Sequence, residues 1–79
     1  MIIYDLEVNG IAYDVECNIN YSLDDLNNVQ VDAVSILNVS RVKDETGDNI
    51  YSTLTDDEEK ALVDAIQQEL IDNPDDYGL

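Results

Sequence analysis

The chain contains no histidine, no tryptophan and no phenylalanine, one cysteine and one proline, and only three basic residues among 79: Arg41, Lys43 and Lys60. Without histidine it lacks the commonest general base and metal ligand near neutral pH, and triads built on that residue are excluded. A lone cysteine, Cys17, cannot close an internal disulfide, which agrees with a reducing compartment. Its place on the apolar side of a strand, with no basic neighbour in sequence, makes it a small core residue rather than a nucleophile. The three glycines, Gly10, Gly47 and Gly78, are scattered and form no phosphate-binding cluster. No basic stretch precedes an apolar run and no apolar run is long enough to span a bilayer, so a cytoplasmic location is expected. Paired carboxylates of the kind that hydrolyse glycosides need a sizeable cleft, which a chain this short and free of tryptophan seldom builds. We therefore expect no enzymatic activity and no cofactor.

Against the three bases stand 19 Asp and Glu residues, giving a formal net charge of -16. A folded protein of this mass exposes roughly 4,800 Å², or about 300 Å² per net charge. Such a field repels nucleic acid and anionic membrane and draws in basic protein surfaces. High charge also favours disorder, but 44% of the residues are apolar and they follow strand and helix periods, so a folded domain is expected.

Residues 2–8 alternate, with Ile2, Tyr4, Leu6 and Val8 on one side and Ile3, Asp5 and Glu7 on the other. Asn9-Gly10 supplies the two positive-φ positions of a type I′ turn, and residues 11–21 alternate again. A two-residue turn sets Val8 opposite Ile11, Leu6 opposite Tyr13, Tyr4 opposite Val15 and Ile2 opposite Cys17. On the other face it predicts Asp5 opposite Asp14, with Glu7 and Glu16 alongside. Like charges directly opposite cost a few tenths to about 1 kcal/mol, so this patch is expected to lower stability.

Residues 22–28 read as a polar loop or single helical turn that Ser22 could cap. A longer β pattern follows from Val29 to Val42, with a slip near residues 33–37 that implies a bulge or bend. Asp44 to Asn49 form a turn around Gly47, and residues 50–54 could return as a short strand. The oxygen-rich loops at 24–28 and 44–49 lack the ligand spacing of an EF-hand, so no metal site is assigned. Thr55 and Glu58 make a capping box for a helix whose apolar stripe is Leu62, Val63, Ile66 and Leu70, ending at Asn73-Pro74. The expected fold is a single α+β domain over residues 1–74, an antiparallel sheet of three to four strands packed by one C-terminal helix. Residues 75–79 are an acidic tail.

The hairpin from Ile3 to Val15 and the capped helix start from Leu54 to Leu62 resemble a class of short, acidic bacteriophage proteins. That resemblance implies a non-enzymatic inhibitor that mimics the charge of DNA and occupies the basic groove of a nucleic-acid-binding protein of host defence or repair. No functional residue is carried over from it. The candidate partner-binding residues come from the charge pattern: Asp5, Glu7, Asp14 and Glu16 on the hairpin, and Asp57, Asp64 and Glu69 on the helix. The alternative is a small phage structural or accessory module that binds through a sheet edge, with a homodimer as one form, and whose acidity serves solubility only.

Overall fold

A computed structural model describes residues 1–44 and 47–79. Strands β1 (Ile2–Val8), β2 (Ile11–Leu23) and β3 (Val29–Arg41) form an antiparallel sheet in the order β1-β2-β3, and helix α1 (Asp56–Asp72) packs on one face. The α+β architecture is the expected one, with three strands.

Asn9 (φ 52°) and Gly10 (φ 82°) take the left-handed conformation of a type I′ turn, and Val8–Ile11, Glu7–Ala12 and Leu6–Tyr13 pair as the turn dictates. Beyond them the register departs from expectation. Ile3 pairs with Val15 and Ile2 with Glu16, so Tyr4 and Asp5 together occupy the span opposite Asp14. Asp5 adopts φ 55°, a left-handed conformation that aspartate tolerates better than most residues. The extra residue reverses which side chains point inward. Ile3 is buried, while Ile2 and Tyr4, expected in the core, are 45% and 71% exposed.

The slip in β3 is real and occurs twice. Leu37 is extra between the pairs Cys17–Ile36 and Glu16–Asn38, and Asp32 between Tyr21–Val31 and Asn20–Ala33. All three extra residues thus lie on the edge strands, where bulges oppose pairing with another chain. On both sides of the Leu37 bulge the faces stay matched: Val15, Cys17 and Ile19 pair with Val39, Ile36 and Val34, while Glu16, Asn18 and Asn20 pair with Asn38, Ser35 and Ala33.

Two connections differ from the sequence reading. Ser22 lies within β2, and Asp24 organises the β2–β3 turn: its Oδ1 accepts hydrogen bonds from the N–H groups of Leu26 (2.8 Å) and Asn28 (2.9 Å). The Asn28 N–H above all holds the Asp24 carboxyl below its usual range. Residues 50–54 form no strand. Asn49 Oδ1 accepts from both Val39 N–H and Tyr51 N–H, which turns the chain into a 3-10 turn at Tyr51–Thr53. The Ile50 N–H meanwhile donates to the Val39 carbonyl at 2.7 Å, covering the edge of β3 at that point. Part of the turn expected over 44–49 lies outside the described residues.

The capping box forms as read, with Glu58 N–H donating to Thr55 Oγ1 and Thr55 N–H to Glu58 Oε1. The Thr55 N–H holds the Glu58 carboxyl below its usual range. This contribution is therefore present above the unfolded carboxylate pKa and is lost as pH falls through the lower, folded value. Leu62, Ile66 and Leu70 on α1 close the core against Ile3 and Leu6 of β1, Tyr13, Val15 and Cys17 of β2, and Val39 of β3. Burial raises the pKa of the Cys17 thiol, which keeps it a protonated packing group.

Residues 74–79 fold back: Pro74–Tyr77 make a 3-10 turn, the Tyr77 hydroxyl donates to Glu69 Oε1 at 3.1 Å, and Tyr77 and Leu79 pack on the core. Desolvation first, and the Glu69 hydrogen bond second, push the Tyr77 pKa up to about 12. This contact stabilises the fold below the ordinary tyrosine range and is lost as pH rises toward that value.

The molecule measures 42 × 23 × 20 Å. Even if each of the three bases neutralised one acid, 16 carboxylates would remain uncompensated. Raising salt from about 0.01 M to 0.15 M shortens the screening length from about 30 Å to about 8 Å, and we expect thermal unfolding to move up by about 5 °C. Calorimetry checks this, and a flat or falling midpoint would mean that self-repulsion does not limit the fold.

Candidate functional site

The bulge in β1 decides how the hairpin carboxylates are arranged. Asp14 Oδ1 accepts a hydrogen bond from the Asp5 N–H at 3.0 Å, so the carboxylate completes the bulge instead of meeting a second carboxylate head-on. The expected opposition of Asp5 and Asp14 across the strands is replaced by a charge-assisted hydrogen bond. Removing Asp14 is accordingly expected to lower stability. Asp14→Ala should cost about 1 kcal/mol, read as a lower urea midpoint at unchanged slope. A gain in stability would restore the repulsive pair.

The four hairpin acids divide between two places. Asp14 and Glu16 line a shallow depression of about 280 Å³ on the sheet face away from α1, beside Ile2, Tyr4 and Asn38. Asp5 and Glu7 line a groove of about 400 Å³ between β1 and α1, where Glu69 and Asp72 approach from the helix over a floor of Ile3, Leu6 and Ala65. Asp57 and Asp64 are exposed and line neither. The structure therefore brings together Asp5, Glu7 and Glu69 of the seven candidates and adds Asp72. Asp72 was detectable in the sequence: it lies three residues after Glu69 and seven after Ala65, on one helix face. What the sequence hid was the β1 bulge that shapes the opposite wall.

The helix carries these acids at its unfavourable end. Asp56, Asp57, Glu58 and Glu59 occupy the first turn, where the helix dipole stabilises them, but the last turn has no base to offset Glu69 and Asp72. Neighbours hold both in place. Glu69 Oε1 accepts from Tyr77 Oη and from Asn73 Nδ2, and Asp72 Oδ1 accepts from Gln68 Nε2 at 2.9 Å.

Among the described residues, no three His, Cys, Asp or Glu side chains converge as a metal site. No helix among the described residues is long and apolar enough to cross a membrane. The chain matches no family model, and comparison with curated proteins and with solved structures finds no significant match.

Proposed function

We propose that the protein is a non-enzymatic inhibitor of bacteriophage type that presents a DNA-like carboxylate surface to the basic groove of a host nucleic-acid-binding protein of defence or repair, in the host cytoplasm. The observation that carries this reading is the β1–α1 groove. Its helix wall holds Glu69 and Asp72 at a helix C-terminus with no base in the last turn, the end where the helix dipole disfavours negative charge, and its strand wall adds Asp5 and Glu7. A surface serving solubility alone would intersperse both signs and place acids where the fold tolerates them. The dimensions support the same reading: 42 Å of length corresponds to about twelve base pairs of duplex.

The test is affinity capture from host lysate with the immobilised protein, run at low salt, at high salt, and with competing duplex DNA. The reading predicts recovery of a nucleic-acid-binding protein that is released by both salt and DNA. Partners indifferent to both would overturn it.

A further inference from the structure

β2 and β3 each run 13 residues, about 43 Å of strand, whereas the 17 residues of α1 span about 26 Å. β1 also stops at Ile2, opposite Glu16. The far end of the β2–β3 ribbon is therefore not fully covered. Leu23 (54%), Leu26 (80%) and Ile71 (49%) are exposed there; other large apolar side chains, Ile2, Tyr4 and Leu37 among them, are exposed elsewhere on the surface. Between the ribbon end and the C-terminal end of α1 runs a groove of about 410 Å³, with Leu23, Val29, Ile71, Pro74 and Leu79 as its apolar lining and Asp75 beside them.

Charge is divided along the long axis. Arg41 and Lys43 line a depression with Gly10, Ile11 and Ala12, at the Asn9-Gly10 end. Lys60 belongs to the helical turn whose neighbours Glu58, Ala61 and Leu62 meet Val8 and Asn9, at that same end. All three bases thus lie far from the ribbon end, where Asp24, Asp25, Asp75 and Asp76 sit in the two turns flanking the groove. Asn27 and Asn28 also line the groove, and every charged side chain in or beside it is acidic, so its apolar floor complements large apolar side chains flanked by Lys or Arg. A second copy of this chain brings 16 more negative charges, and an anionic membrane is repelled in the same way.

We infer that this groove docks an amphipathic basic helix of the partner protein, its apolar side chains entering at i, i+3 and i+4 spacing between Leu23 and Ile71 and its Lys and Arg residues meeting the rim. The inference shares with the proposed function the premise of a basic protein partner and adds a site that charge alone does not specify.

Two synthetic peptides of about 18 residues and equal positive charge test it, one a Leu/Lys amphipathic helix and the other a Lys/Ser sequence, each titrated at low salt into the ¹⁵N-labelled protein. The Leu/Lys peptide is expected to bind about tenfold more tightly, to shift the amides of Leu23, Val29, Ile71 and Leu79, and to lose that advantage with Leu23→Ser and Ile71→Ser together. Both substitutions fall on exposed side chains, and an unchanged native spectrum confirms folding. Equal binding of the two peptides, with shifts confined to Asp5, Glu7 and Glu69, overturns the docking groove while leaving the charge-based function standing. Binding by neither peptide overturns both. Concentration-dependent self-association through the same amides, without peptide, assigns the groove to a second copy and overturns the inference.

Discussion

Ile66→Ala is expected to remove about 3 kcal/mol from a domain whose total stability is about 4–12 kcal/mol, and to lower the thermal midpoint by about 15 °C. Ile66 is fully buried at the centre of α1's inner stripe, between Leu62 and Leu70, in a core formed with β1, β2 and β3. The sheet cannot collapse freely into the space left by the lost side chain, because the β1 and β3 bulges fix its register, so a cavity term adds to the lost burial. Ile71→Ala, five residues later on the same helix but half exposed, should cost less than about 1 kcal/mol. Chemical denaturation of both variants checks this, and equal losses would mean that the helix packs by a different face.

The second large effect concerns binding. Asp5→Asn, Glu7→Gln, Glu69→Gln and Asp72→Asn made together preserve shape, and the amides introduced on the helix keep the acceptor oxygens used by Tyr77 and Gln68. Only four charges are lost. We expect affinity for a captured basic partner to fall about a hundredfold, with a shallower salt dependence, while stability rises because the helix C-terminus is relieved. Neutralising Asp32, Asp48, Asp56 and Asp64 instead removes equal charge from outside the groove and should weaken binding far less. Isothermal titration at two salt concentrations separates the variants. Equal losses would make net charge, and not the groove, the determinant.

Local chemistry explains which parts of the fold were legible in the sequence. Asn9-Gly10 and the Thr55/Glu58 box are short-range devices whose hydrogen bonds depend on residues within three positions, and both formed as read. The helix stripe was equally plain, because Leu62, Ile66 and Leu70 recur at a helical period. The β1 bulge was not legible. Ile2-Ile3-Tyr4 offers apolar residues to either face, so alternation alone does not choose between them, and the choice falls to Asp5, which takes a left-handed conformation and hands its N–H to Asp14 nine residues away. Asn49 acts likewise on Val39 across ten residues, converting an expected strand into a 3-10 turn. The same long-range bonds kept the candidate site from being read whole: Asp5 and Glu7 were recognisable as acids, but their convergence with Glu69 and Asp72 follows from how the bulged strand meets the helix.

The DNA-mimic reading comes down to mutual exclusion on a basic groove. The most direct measurement is fluorescence anisotropy of a labelled duplex bound to the captured partner, with this protein titrated in. Stoichiometric release of the duplex, weakened by the four-residue neutralised variant, is the predicted result. A duplex that stays bound while this protein joins it in a ternary complex would contradict the reading.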